Sequence, residues 1–258
     1  MHIAEKRKLQ WRSTMDRKVW NIEEFNKVNL PEVIGSITNR NRFSEFNRTR
    51  VLDLPIHMPG QGWKIPSEIN NFLEPIKLAA KAESRFGDFL NTHYVYVTID
   101  QKVVQAGKTG RRAGAHSDAY IEVDEEQLDL IAENADAIAK EKQEVSHTYV
   151  IADQVPTEFF NAKFPLVDSS CNGGSLKTFD EIAEKAEIIT YPGYTLLRMD
   201  PYVVHRSALV TETMERTFMK ISFSRKKYAR KGNTVNPGFE YDWELTARSP
   251  DKRNHPWK

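Results

Sequence analysis

His116 and Asp118 stand two residues apart and can bring an imidazole and a carboxylate to one ion. On an extended segment, residues i and i+2 project to the same side. A third ligand has to come from elsewhere, and His205 stands 89 positions later, at the end of the strand-like run 202–204. Two histidines and one carboxylate on one face of an ion suit a first-row divalent metal and leave positions open for reactants. Zinc accepts the same donors, so ligand type alone does not fix the metal. The bland readings are a local hydrogen-bonded pair for His116 and Asp118, and a core histidine for His205.

Arg216 adds weight to the chemical reading. It lies eleven residues after His205 and opens the run R-T-F-M-K-I-S-F-S. Strand alternation puts Arg216, Phe218, Lys220 and Ser222 on one face and Thr217, Met219, Ile221 and Phe223 on the other. The second face is the apolar one and is expected to pack against helices. The first carries a guanidinium inward, where a buried Arg needs an anion, and a carboxylate fits its fork. The bland reading is a salt bridge to Glu212 or Glu215.

The pattern H-x-D, a distant second His and an Arg or Lys a short way beyond it resembles the Fe(II)/2-oxoglutarate-dependent dioxygenase superfamily. Here the matching residues are His116, Asp118, His205 and Arg216. The stretch from Tyr191-Pro192-Gly193-Tyr194 through Asp200-Pro201 to His205-Arg206 also looks like that family's strand, turn and distal His, and the similarity spans roughly residues 92–227. The resemblance implies an α+β fold built on a double-stranded β-helix, a jelly-roll or cupin-like barrel with helices packed on its outer face. It implies Fe(II) on His116, Asp118 and His205, 2-oxoglutarate as cosubstrate with its distal carboxylate on Arg216, and O2. Hydroxylation with release of succinate and CO2 is the default outcome, with desaturation and cyclisation open. Two residues depart from the pattern: Phe218 stands where many members place Ser or Thr, and Arg206 directly follows the distal His. Tyr149, Tyr96 and Thr148 remain open as the cosubstrate's second contact, with Tyr149 counted as a cofactor-binding candidate.

The elements that must position these groups follow from periodicity. Strands are expected over 92–99, 147–152, 188–190, 194–199, 202–210 and 216–224. Leu128, Ile131, Ala132, Ala135 and Ile138 form a helical stripe within 125–142. Ser67 is placed to cap a helix through Phe72, Ile76 and Ala79 that Pro75 interrupts early, and a short helix is expected over 179–186. Pro55, Pro59, Gly60 and Gly62 predict a loop over 51–65. The run D-S-S-C-N-G-G-S over 168–175 predicts a movable loop beside the pocket. Asp100 and Asp200 are expected to be turn residues, and His57, His93 and His147 structural. The division is an N-terminal extension (1–50), an oxygenase domain (51–227) and a basic C-terminal tail (228–258).

Composition narrows the classes. The 258 residues are 40% hydrophobic and 28% charged, with a net charge of +1. That is ordinary globular composition with no overall field to attract nucleic acid or membrane. Cys171 is the single cysteine, so an intrachain disulfide is impossible. No apolar h-region opens the chain and no apolar run approaches the ~20 residues of a membrane span. A cytoplasmic protein acting on a small polar molecule is therefore expected. Lys226, Lys227, Arg230, Lys231, Lys252 and Arg253, with Tyr228, Trp243 and Trp257, allow nucleic-acid contact through the tail, but a solvated tail is preferred. Arg111 and Arg112 either guide an anionic substrate or are turn residues in solvent. No dinucleotide fingerprint, P-loop, nucleophile elbow or H-E-x-x-H is present. The rivals are a cupin-like metal enzyme without 2-oxoglutarate and a jelly-roll nucleic-acid or peptide binding module.

Overall fold

The computed structural model describes residues 22–111, 113–118, 146–165 and 173–247. The helical stretch expected over 125–142 and the first part of the loop expected over 168–175 lie outside them. Among the described residues, ten strands follow in chain order: β1 (Glu32–Ser36), β2 (Arg50–Met58), β3 (Gly62–Trp63), β4 (Tyr94–Val104), β5 (His147–Ala152), β6 (Thr157–Phe160), β7 (Ile188–Ile189), β8 (Thr195–Met199), β9 (His205–Ser207) and β10 (Met214–Ser224). Three α-helices accompany them: α1 (Arg40–Ser44), α2 (Leu73–Glu83) and α3 (Gly173–Ala183). Residues 173–175 thus open a helix rather than extend a loop.

Seven strands form one sheet in the order β1-β8-β5-β10-β4-β2-β3, and three form another in the order β7-β6-β9. Every pairing between these strands is antiparallel. β10 lies at the centre of the large sheet, where alternation sends Met219, Ile221 and Phe223 to one face. There they meet Val95, Val97 and Ile99 of β4 and Ile76, Ala79 and Ala82 of α2. Burying a side chain of that size contributes roughly 1.5–3 kcal/mol, so this layer fixes the register that aims the other face. On that other face, Val150, Leu197, Met199 and Phe218 pack against Phe159 of β6. The two sheets therefore face each other, but they remain separate and do not close into one barrel. Helices also do not all share one side: α3 places Phe179 and Ala183 against Phe25, Phe164, Tyr202 and Ala115, near His116 rather than over α2's layer.

Three segments differ from the sequence reading. Residues 32–36, assigned to the extension, form edge strand β1 beside β8. Residues 51–58, read as part of a Pro/Gly loop over 51–65, belong to the nine-residue strand β2, whose bulges fall at 51–54 and 55–57. Those bulges are where a sheet tolerates Pro55, which has no N–H to give. Finally, residues 228–247 are not a free tail. Tyr228 stacks on Tyr96 with ring centroids 4.1 Å apart, and Trp243 meets Tyr94 edge-on. The buried Asn236 amide donates to the carbonyls of Pro55 and Lys64. The tail's aromatic residues up to Trp243 thus serve internal packing. No helix among the described residues is long and apolar enough to cross a membrane.

Candidate metal centre

The two histidines meet because their backbones pair. His116 and His205 exchange both N–H···O=C bonds at 2.9 Å, which adds a short rung beside β9. In such a hydrogen-bonded antiparallel pair the side chains stand next to each other, and the two imidazole centroids are 4.6 Å apart. Asp118 follows on the same side. One ligand atom from each of His116, Asp118 and His205 lies within 4.8 Å of the other two.

Local structure holds that segment in place. Gly114 has φ +95, a left-handed conformation that favours glycine. The Asp180 carboxylate on α3 abuts Gly114 and accepts from the Ala115 N–H at 2.5 Å. Ser117, pointing the other way, donates to the Pro201 carbonyl. Asp200 accepts from the Tyr202 N–H in the turn that leads to His205, as expected of a turn residue. Each imidazole is oriented by a carbonyl two residues earlier: Nδ1 of His116 lies 2.9 Å from Gly114 O and Nδ1 of His205 lies 3.1 Å from Val203 O. A carbonyl only accepts, so Nδ1 carries the proton and Nε2 keeps the lone pair. That backbone orientation of the distal ring nitrogen is what a metal-binding histidine requires.

The electrostatics agree with a cation site. Burial, and then the neighbouring His116, push His205 down to about 4, so the ring is neutral and ready to ligate. For Asp118, burial works against ionisation, but Lys220, then His205, His116 and Arg111, outweigh it. The carboxyl is held well below its usual range. Lys220 Nζ stands 3.8 Å from Asp118 Oδ2. The donor set is two imidazole nitrogens and one carboxylate, which fits a divalent metal of the iron or zinc kind.

These groups open into a cavity of about 680 Å³ between the sheets, lined also by Arg111, Arg216, Phe218 and Lys220. Arg216 is 3% exposed, and burial brings its guanidinium down to about 10, still protonated at neutral pH. Nε donates to Gln154 O at 3.0 Å and Nη2 to Val155 O at 3.0 Å. No ion pair joins it to Glu212, Glu215 or any other carboxylate among the described residues. Asp153, whose charge favours its protonation, is already bonded to the N–H groups of Thr217 and Gln154. Gly110 lets the Arg216 head pass: a Cβ there would stand 2.8 Å from Nη1.

The hydroxyls expected near the cosubstrate lie elsewhere. Tyr149 is fully buried on the helix side of the large sheet and donates to Glu83 at 2.9 Å. Its neighbour Val150 faces the cavity, so alternation turns Tyr149 away. Tyr96 donates to Lys226 O, and Thr148 is buried outside the cavity lining. Thr157 of β6 and Ser207 of β9, paired across the small sheet, line the cavity instead. Asp100 is no turn residue: within β4 it pairs with Arg50 at 3.1 Å and Lys102 at 2.7 Å. Sequence reading missed Asp180, Thr157, Ser207 and the Ser117 contact. Each depends on long-range contact that no local spacing announces.

No protein-family model and no curated protein matches the chain. Among solved structures, a non-heme monooxygenase, the ThoJ–Ni complex, is 12% identical, covers 78% of this chain and 75% of its own, and gives a TM-score of 0.42. AviO1 from Streptomyces viridochromogenes is 12% identical over 84% of this chain and 96% of its own, with a TM-score of 0.37. EvdO2 from Micromonospora carbonacea var. aurantiaca, complexed with 2-oxoglutarate, is 12% identical over 76% and 94%, with a TM-score of 0.35.

Proposed function

We propose that this chain is a non-heme Fe(II)/2-oxoglutarate-dependent oxygenase that hydroxylates a small polar substrate in the cavity between the sheets, releasing succinate and CO2. In this reading the two sheets are the halves of a double-stranded β-helix. One observation carries it: the His116–Asp118–His205 set and a buried, carboxylate-free Arg216 share one cavity. A metal site alone fits many chemistries. A metal site with a buried guanidinium in the same cavity fits a cosubstrate that chelates at one end and carries a carboxylate at the other.

His116 and His205 supply Nε2 donors held by their carbonyl-bound Nδ1 groups, and Asp118 supplies the anion. Arg216 is fixed through Nε and Nη2, which leaves its Nη1 edge, beside Gly110, for the distal carboxylate. Thr157 or Ser207 adds the second contact that Tyr149 does not reach. Phe218 gives the cosubstrate an apolar wall and helps to exclude water. Iron held by His116, Asp118 and His205 would supply the oxidising chemistry with cosubstrate and O2.

The test is anaerobic addition of Fe(II) and then 2-oxoglutarate to the protein, followed by visible spectroscopy. The expected result is a charge-transfer band that needs both components and is lost in Asp118→Ala. Iron binding without a 2-oxoglutarate-dependent band would favour the cupin-like enzyme that uses no cosubstrate.

A further inference from the structure

We propose that Arg111 sets substrate specificity by receiving an oxyanion, a carboxylate or phosphate carried by the substrate, beside the metal centre. The proposal rests on the functional reading above and goes beyond it to the substrate's chemical class.

Arg111 is not a turn residue in solvent: its guanidinium lies 4.8 Å from the Phe218 ring centroid and lines the cavity. The backbone that carries it is tied down. Gly107 N–H donates to Val210 O, Val210 N–H donates to Lys108 O, and the Thr109 hydroxyl donates to Arg111 O at 2.6 Å. Arg216 stands 5.3 Å from the same Phe218 ring. Two guanidiniums are thus held at one aromatic side chain. Arg111's charge also bears on both Asp118 and Arg216, lowering the pKa of each.

The other cations of the cavity face carboxylates. Arg50 and Lys102 share Asp100, and Lys220 faces Asp118. Arg111 and Arg216 have no carboxylate partner among the described residues. A guanidinium in a partly dry cavity is stabilised by an anion that fits its fork. A dicarboxylate cosubstrate places one carboxylate at the metal and the other on Arg216. That leaves Arg111's fork, which suits a carboxylate or phosphate, for the molecule to be oxidised. A purely structural Arg111, a cover over Phe218, would show no anion dependence.

The experiment loads the full chain with Mn(II) and 2-oxoglutarate and measures paramagnetic relaxation of two probes, inorganic phosphate by 31P and labelled acetate by 13C. The expected result is saturable relaxation of one probe in the unaltered protein. In Arg111→Gln its affinity should fall by about tenfold or more, while 2-oxoglutarate affinity changes by less than about threefold, within ~0.6 kcal/mol. Whichever probe responds identifies the substrate's anion. Should Arg111→Gln not fold, Arg111→Lys keeps the charge without the fork and is expected to lose part of the probe affinity. Equal relaxation with and without Arg111, or no relaxation at all, overturns the proposal. Loss of 2-oxoglutarate in Arg111→Gln as large as in Arg216→Gln also overturns it, because the two arginines would then form one cosubstrate site. Failure of 2-oxoglutarate to bind the unaltered protein sinks the functional reading instead. Phosphate and acetate with Mn(II) alone then decide the oxyanion site: Arg111-dependent relaxation upholds it, and its absence sinks it.

Discussion

Two histidine–carboxylate clusters lie on opposite sides of the large sheet, one against α2 and the other across the cavity at β9 of the small sheet. On the helix side, His147 and Tyr149 stand two apart on β5 and meet Glu83 of α2. Glu83 lies 2.9 Å from His147 Nδ1 and accepts from the Tyr149 hydroxyl at 2.9 Å. On the cavity side, His116 and Asp118 stand two apart and meet His205. Sequence spacing is the same in both. The difference is in what the polar atoms face. Glu83, His147 and Tyr149 are each at most 2% exposed, and the Glu83 carboxylate meets both His147 Nδ1 and the Tyr149 hydroxyl outside the cavity that His116 and His205 line. The cavity-side histidines bond backbone carbonyls through Nδ1, and their Nε2 atoms meet no partner among the described residues. A buried cluster gathered around one carboxylate contributes to the fold, whereas one that faces a cavity is a candidate for ligand binding.

The largest expected effects test that contrast directly. Asp118→Ala, His116→Ala or His205→Ala should each abolish turnover and metal retention, with the metal-free protein still folded. Glu83→Ala should do the reverse. It strands two buried polar groups, should cost about 3 kcal/mol or more of stability, and should leave metal stoichiometry intact. Metal content and urea unfolding measured on both sets decide it. A Glu83 variant that loses its metal at unchanged stability would erase the distinction.

Acid should separate the clusters next. In the metal-free protein, His205 titrates at about 4, against 6.5 for an ordinary histidine. Between those values the unfolded chain takes a proton that the folded chain refuses, so stability falls as pH drops from 6.5 toward 4. The loss should be roughly 1–3 kcal/mol. Asp118 acts below that window, because its lowered folded pKa gives stability that disappears only as the carboxylate is protonated. Urea unfolding across this range should show the slope, and His205→Gln should flatten it. An unchanged slope in that variant would place the acid sensitivity elsewhere.

Arg216→Ala is expected to weaken 2-oxoglutarate by about ten- to a hundredfold, from a charge-assisted contact of roughly 1.5–3 kcal/mol. Lysine should recover part, since it keeps the charge without the fork. Isothermal titration with the metal-loaded variant measures this. Unfolding of the same variant shows whether the two carbonyl contacts alone explain Arg216.

The parts of the molecule legible in sequence are those where local pattern and tertiary role coincide. Strict alternation from Arg216 to Phe223 correctly divides cavity face from helix face, and residues 147–152 form β5 as read. The three groups singled out by H-x-D spacing and a distant His, His116, Asp118 and His205, lie close together in the structure. Pattern failed where long-range pairing decides. β1 is a short edge strand with little signal of its own, and β2 survives Pro55 only because bulges and the Asn236 amide accommodate it. Tyr149 was the harder error. It carries the right chemistry on the right strand, but its parity sends it to the wrong face, and β5 read alone does not say which parity points inward.

The smallest effect concerns a hydrogen atom's replacement at Gly110. A Cβ there would stand 2.8 Å from Arg216 Nη1, 3.3 Å from Cζ and 3.4 Å from Cδ. The end of an arginine can usually move aside, but this one is tethered by Nε to Gln154 O and by Nη2 to Val155 O. Gly110→Ala should therefore displace the guanidinium by a few tenths of an ångström rather than unfold the chain. The expected result is a two- to tenfold loss of 2-oxoglutarate affinity, at most about 1.4 kcal/mol. A double-mutant cycle isolates the cause. Lysine has no Nη1, so in an Arg216→Lys background Gly110→Ala should cost almost nothing further. Equal losses in both backgrounds would show that the methyl disturbs the 107–111 backbone instead, and that Gly110 serves Arg111's loop rather than Arg216's head.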